Sequence, residues 1–385
     1  MEKVRLGIIG IGNMCSSHIK NAIEGKMPEI EITAVADIKP DRLEWAKEQL
    51  PAVKTFDTAS ALMDSGEVDA VLIATPHYDH PPLVMEALQK GLHAMSEKPA
   101  GVYTKQVREM NAVADKSDKI FAIMFNQRTN CLYRKMREMI NNGDIGTIKR
   151  INWIITDWYR SQNYYDSGEW RATWAGEGGG VLFNQCPHQL DLISWVTGMM
   201  PKRVHAFAHF GKWHNIEVED DVTAYLEYEN GATGVFITST ADAPGTNRFE
   251  VLGTGGKLVA ENDKLTYYKN EIDERQFNRE WKGGFGSPKF EIIDVELDGE
   301  NLQHTGICRN FTNAILGKEE LFVDGREGIN GVILMDAMLL SAWRGQTVEL
   351  PFDDDEYLEL LNERIAGSRK KDNVAETVLD TDGSY

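Results

Sequence analysis

A short apolar run, VRLGII, ends on Gly10, Ile11 and Gly12 and passes at once into the helical stretch NMCSSHIKNAIEG. Few folds place a strand, a Gly-x-Gly turn and a helix in immediate succession. The turn needs a residue free to take positive φ, and the second glycine lets a phosphate approach the N–H groups at the helix start. The rhythm then repeats. EITAVAD is followed by PDRLEWAKEQL, VDAVLIATP by PPLVMEALQKG, and HAMSEKP and KIFAIMF enclose a helix running from about Lys105 to Lys116. Alternation of this kind produces parallel strands joined by right-handed helical crossovers. The fold class expected is α/β, opening on a doubly wound Rossmann domain.

Beyond about Arg150 the pattern changes to strands joined by turns. Asn230-Gly231 separates two alternating runs in VTAYLEYENGATGVFITST, a hairpin signal, and FEVLGTGGKLVAENDKLTYY continues the meander through Gly255-Gly256. CPHQLDLISWVTG and RNFTNAILG read as helices laid on one face of that sheet, and a last helical segment runs from about Gly328 to Trp343. The second domain is therefore expected to be α+β with a large, mostly antiparallel open sheet. At roughly 150 residues per domain, 385 residues give about two and a half, so two domains are expected, with three the alternative. The expected division is 1–127 for dinucleotide binding, 128–366 for substrate binding and oligomerisation, and 367–385 as a loosely ordered polar tail.

Composition narrows the partners. Hydrophobic residues at 42% and charged residues at 26% allow buried cores and exclude a disordered chain. Sixty acidic against 41 basic residues give a net charge of −19, which repels nucleic acid and anionic membrane surfaces alike. No secretory leader and no apolar run near ~20 residues is visible, so a cytoplasmic protein is expected. Cys15, Cys131, Cys186 and Cys308 form no C-x-x-C and are expected to be reduced, with no metal site.

Five groups of residues carry chemistry. Gly10, Gly12, Asn13 and Met14 form the nucleotide loop, in which Cys15 stands where a third small residue is usual. Asp37 closes the second strand, where a carboxylate hydrogen-bonds a ribose diol and repels a 2′-phosphate; NAD is thus expected over NADP, with Lys39 and Arg42 nearby as the contrary signal. The alternative role for Asp37 is to cap the helix after Pro40. Lys98, at the end of the strand HAMSEKP, points toward the crevice where open α/β sheets bind ligands, or else pairs with Glu97 on the surface. In the stretch after Gly178-Gly179-Gly180, a continuous helix from Asn184 puts Asn184, His188 and Asp191 on one face; a buried, satisfied histidine fits the same pattern. Finally, TDWYRSQNYYDSGEWRATWAGE offers Trp158, Tyr159, Tyr164, Arg171 and Trp174 for stacking on a sugar ring, or for an oligomer contact.

Taken in order, GIGNM, ATPHYDHPPLVMEALQKGLHAMSEKPAG and WAGEGGGVLFNQCPHQLDLISWVTG resemble the Gfo/Idh/MocA oxidoreductases over roughly residues 4 to 350. The resemblance implies a nicotinamide-dependent enzyme acting on a secondary hydroxyl of a sugar or cyclic polyol. It also implies a second-domain sheet that builds the substrate pocket and a homodimer or homotetramer contact. By similarity Lys98 matches the family's catalytic lysine and His188 its catalytic histidine, while Asn184 occupies a position often held by Asp. Thr75, Pro76, His77 and His80 match the segment along the nucleotide, Glu97 precedes the lysine, and Asn126 matches a position near the nicotinamide.

The function expected is NAD-dependent oxidation of a ring hydroxyl, preferably at carbon 3, of a hexopyranose or glycoside. His188 would accept the proton, Lys98 would hold the oxygen, and Asn184 would orient a neighbouring hydroxyl. Inositol dehydrogenation, and a glycosidase or lyase working by transient oxidation and elimination, are the alternatives.

Overall fold

A computed structural model describes residues 3–369 together with 371 and 374. The expected loose ordering of the 367–385 tail falls largely outside the described residues. Six strands, β1 (Val4–Ile9), β2 (Ile30–Ala36), β3 (Lys54–Phe56), β4 (Ala70–Ile73), β5 (His93–Ser96) and β6 (Phe121–Ile123), form an all-parallel sheet in the order β3-β2-β1-β4-β5-β6. β1 and β4 lie side by side where the order reverses. A crevice opens there at the carboxyl ends of the strands, and both the Gly-rich turn after β1 and the segment after β4 face it. Ile8, Val35, Val71, Leu72, Met95 and Ile123 are fully or almost fully buried, as expected of strands covered by helices on both faces.

The second sheet has nine strands: β7 (Ile148–Ile155), β8 (Pro201–Phe210), β9 (Glu219–Tyr228), β10 (Thr233–Ser239), β11 (Asn247–Gly253), β12 (Gly256–Glu261), β13 (Lys264–Asn270), β14 (Phe290–Val295) and β15 (Val348–Glu349). Their order is β14-β13-β12-β11-β7-β10-β9-β8-β15, and every pair is antiparallel except β7 with β10. The Asn230-Gly231 hairpin forms as the sequence predicts. Gly231 takes φ +82°, and the Asn230 side chain accepts from Ala232 N at 2.9 Å.

One face of this sheet carries the helix Gly328–Arg344, which packs on β8 and on the helix Pro187–Thr197. The helix containing RNFTNAILG, Gln303–Ile315, corrects the expectation that it too lies on the sheet. It packs against the turn Asn126–Thr129 and the helix Asn13–Ile23 of the nucleotide domain, with Ile307, Cys308 and Phe311 buried. All four cysteines are free and buried.

Candidate active site

The nucleotide loop has the geometry its glycines predict. Gly10 sits at φ +86°, and a Cβ there would lie 2.9 Å from Ala74 O, so a side chain is opposed both by the conformation and by the neighbouring strand. An added Cβ at Gly12 meets no atom within 4 Å; that space is open, beside the first turn of the helix Asn13–Ile23. Asp37 Oδ2 accepts from Ile11 N at 2.6 Å and Oδ1 from Lys39 N at 2.8 Å, so the carboxylate braces the loop. It does not cap the following helix, whose N-cap residue is Lys39. Each carboxylate oxygen keeps a lone pair for a ribose hydroxyl. Beside it Ile38, 84% exposed, provides an apolar face of the kind an adenine ring covers.

This loop opens into a cleft of about 860 Å³ walled by both domains. Gly10, Gly12, Asn13, Met14, Asp37, Thr75, Pro76, His77, His80, Glu97, Lys98, Trp158, Tyr164, Arg171, Asn184 and His188 all line it. Several buried polar atoms on its wall have no hydrogen-bond partner among the described residues: Thr75 Oγ1, Trp158 Nε1, Arg160 Nε, Gln185 Oε1 and His188 Nδ1. Orphaned groups gathered on one cavity are what a polar ligand leaves behind, and together with the loop and Asp37 they fit a dinucleotide and its substrate.

Lys98 enters from the end of β5, and its Nζ donates to the backbone oxygen of Asn184 at 2.9 Å. Burial lowers its pKa below the ordinary lysine value, with Glu97 and Glu177 opposing. His188 is held well below the ordinary histidine value by burial and then by the Lys98 charge, so its imidazole is neutral at pH 7. Behind Lys98, Glu97 accepts from His18 Nε2 at 2.9 Å. Burial opposes both charges, yet Cys308 and then Glu97 push His18 up to about 10, and His18 holds Glu97 down to about 2.

Asn184 is wired to the protein on both sides of its amide. Its Nδ2 donates to Glu177, and its Oδ1 accepts from Tyr164 OH at 3.0 Å and Gln185 Nε2 at 3.2 Å. The continuous helix expected from Asn184 is interrupted. Val181–Asn184 is one short helix, and Pro187, which has no N–H to give, starts a second, Pro187–Thr197. Asp191, three residues after His188 on that second helix, is absent from the cleft wall and pairs with buried Arg128 at 2.6 Å.

Three other predicted residues are also absent from the cleft wall. Past the end of β7, Trp158 and Arg160 line the cleft while Tyr159 between them stands 54% exposed and off its wall. Trp174 is buried against Phe210 and Trp343, with ring centroids 5.8 and 5.7 Å away. Asn126 is buried and donates to Gln303 Oε1 at 2.8 Å, and its neighbour Gln127 takes the place on the wall.

Among the residues not anticipated, His304 reaches the cleft from the start of the helix Gln303–Ile315, 5.6 Å from the His18 ring, with burial lowering its pKa to about 4. Glu177 lies behind Asn184, buried and accepting from Ala172 N at 2.5 Å. Its only sequence signal is an acid set directly before three glycines. Gly180 is held by packing, since a Cβ there would run into the Glu219 carbonyl.

Residues 4–125 match the description "Oxidoreductase family, NAD-binding Rossmann fold", and residues 133–259 match "GFO/IDH/MocA C-terminal domain". The rhizopine catabolism protein MocA of Rhizobium meliloti is 32% identical over 66% of this chain and 78% of its own. The D-glucoside 3-dehydrogenase of Escherichia coli is 25% identical over 90% of this chain and 97% of its own. Among solved structures, the WlbA dehydrogenase of Chromobacterium violaceum in complex with NADH and UDP-GlcNAcA superposes with a TM-score of 0.78 at 27% identity, covering 92% of this chain and 97% of that one. The chain belongs to the Gfo/Idh/MocA oxidoreductases, and its N-terminal domain is an NAD-binding Rossmann domain.

Proposed function

We propose that this oxidoreductase oxidises one secondary ring hydroxyl of a hexopyranose or glycoside to a ketone, with carbon 3 the favoured position. The observation that carries the reading is the meeting of Lys98, from the nucleotide domain, with His188, from the second domain, in a cleft continuous with the Gly-rich loop. Bound NAD supplies the hydride acceptor. His188, neutral at pH 7, takes up the hydroxyl proton. Lys98, with two N–H groups left after its bond to Asn184 O, holds and polarises the oxygen. Asn184 keeps one amide N–H for a neighbouring hydroxyl, because its other groups are committed to Glu177, Tyr164 and Gln185. The likeness to a D-glucoside 3-dehydrogenase along nearly its whole length supports the choice of carbon 3. The test is a panel of glycosides, free sugars and inositols with NAD, scored by absorbance of reduced cofactor and identity of the ketone. Glycosides are expected to respond and to give 3-keto products; a response confined to inositols, or none, overturns the reading.

NAD is expected to bind at least about tenfold more tightly than NADP, because the Asp37 carboxylate faces the position of the extra phosphate; tenfold corresponds to ~1.4 kcal/mol. Equal affinities in a fluorescence titration would remove Asp37 from this role.

The same reading includes a homodimer or homotetramer. On the sheet face opposite the helices, Phe207, Thr223, Ile237 and Ile154 form one row across four strands, and His205, Tyr225, Val235 and Asn152 the next. Phe207 is 63% and Tyr225 42% exposed, a large apolar surface that a second copy would cover. Light scattering across micromolar concentrations should give a mass of two or four chains; a monomer throughout refutes it.

A further inference from the structure

We propose that the substrate carries an oxyanion group, carboxylate or phosphoryl, which Arg160 and Arg171 receive at the second-domain end of the cleft. This rests on the dehydrogenase reading and narrows its substrate class. The chain as a whole bears a net charge of −19, yet three cations, Lys98, Arg160 and Arg171, line this one wall. Both guanidiniums lie over the same ring, with their central carbons 5.2 and 4.8 Å from the Tyr164 centroid. Arg160 also covers Trp158 at 5.5 Å, and Arg171 covers Trp170 at 4.6 Å. Aromatic rings hold the two guanidiniums in place, and the N–H groups not already bonded remain for the charge-assisted bonds that match a carboxylate or phosphate.

Their protein partners do not neutralise them. Among the described residues the guanidinium hydrogen bonds go to neutral oxygens, Arg160 Nη1 to Tyr159 O and Arg171 Nη1 to Tyr164 OH, both at 3.0 Å, and neither arginine has a carboxylate within ion-pair distance. Arg160 Nε and Trp158 Nε1 are buried donors with no acceptor, and neither residue type can turn acceptor to satisfy the other. The carboxylates nearby attract them only at longer range: Glu177 acts on Arg171 but is hydrogen-bonded to Ala172 N and Asn184, Asp157 acts on Arg160 from an exposed position, and Glu169 is exposed on the same cleft. A doubly cationic, partly desolvated wall with orphaned donors at Arg160 and Trp158 favours an oxyanion over a sugar hydroxyl there, because charge-assisted bonds are the stronger, while Gln185 Oε1 beside it is left to accept from a hydroxyl.

The anion site is also joined to the reacting end. Tyr164 OH accepts from Arg171 and donates to Asn184 Oδ1, and the backbone oxygen of Asn184 receives Lys98. A substrate held by the arginines is thereby registered against the lysine through one hydrogen-bonded path.

The experiment is calorimetric titration of the NADH-bound enzyme with a methyl glucuronide, a methyl glucoside and a hexose phosphate, repeated for Arg160→Gln, Arg171→Gln and Arg171→Lys. NAD reduction by each compound is measured in parallel. At least one anionic compound should bind about tenfold or more tightly than the neutral glycoside, with the preference shrinking as salt rises. Whichever anion wins identifies the source of the charge. Each Gln variant should lose most of the preference, and Arg171→Lys should keep part of it. Unchanged NADH affinity and melting temperature show that the variants are folded; Arg171→Lys supplies the comparison if a Gln variant is not. Equal affinity for neutral and anionic compounds, or a preference that survives both Gln changes, overturns the proposal. Oxidation of neutral glycosides without an anionic preference sinks this inference alone. An anionic preference in binding without NAD reduction by any compound sinks the reaction and leaves the charge selectivity standing.

Discussion

Replacing His188 by alanine is expected to lower turnover by about a hundredfold or more, the usual contribution of a positioned acid-base group. The alcohol proton then has no destination, because Asn184 cannot ionise near neutrality and its oxygen is already an acceptor for Tyr164 and Gln185. Lys98→Ala should cost a similar factor through loss of the charge that holds the oxygen. Asn184→Ala should cost less and should appear mostly in KM. NAD affinity should survive the His188 change, since that residue enters from the helix Pro187–Thr197 of the second domain. The pH profile separates the roles. The proton-accepting form of His188 is the neutral imidazole, and burial with the nearby Lys98 lowers its pKa, so the acid limb lies below the ordinary value of about 6.5. Lys98 acts in its charged form and is also lowered by burial, so the alkaline limb lies below about 10.4. His188→Ala should abolish the acid limb. Near-normal turnover with an unchanged profile would make the histidine structural and move the proton acceptor elsewhere.

The largest loss of stability is expected from Asp191→Ala. Arg128 is 1% exposed, and its Nε and Nη2 donate to the two Asp191 oxygens at 2.8 and 2.6 Å, while Nη1 reaches Glu327 at 2.8 Å. Removing Asp191 leaves a buried guanidinium with one partner, Glu327, whose side chain is 42% exposed. Breaking such a pair costs about 3–5 kcal/mol, because the remaining charge has lost both its attraction and its hydration. The midpoint of chemical denaturation should fall accordingly. Arg128→Met combined with Asp191→Leu should recover much of the loss, since no uncompensated charge then stays buried. A single-variant cost below about 1 kcal/mol would mean that water reaches the arginine. Asp191 stands three residues after His188 on the same helix, so the double variant also shows whether this pair orients the histidine. Restored stability with an altered pH profile would be that sign.

What the sequence by itself determined is the part encoded in neighbouring residues. A strand ending on Gly10-Ile11-Gly12 before a helix dictates the nucleotide loop, the repeated alternation dictates the parallel sheet, and Asn230-Gly231 dictates a hairpin, because each depends on local backbone preference and side-chain period. The position of Lys98 in the crevice follows from the same logic, as the carboxyl ends of parallel strands all point one way. The rest was decided by contacts between distant segments. A composition dense in Trp, Tyr and Arg marked residues 158–174 as a candidate wall, but only the fold turned Trp158, Arg160, Tyr164 and Arg171 into the cleft, left Tyr159 outside and buried Trp174 against Trp343. Helical spacing placed Asn184, His188 and Asp191 on one face, yet the break before Pro187 took Asn184 out of that register, and an arginine 63 positions earlier claimed Asp191 away from the substrate. His304 arrived because the apolar face of its helix found the nucleotide domain instead of the second sheet. Burial and charge pairing act through space between residues far apart in the chain, and no local pattern of residue types records which of them will meet.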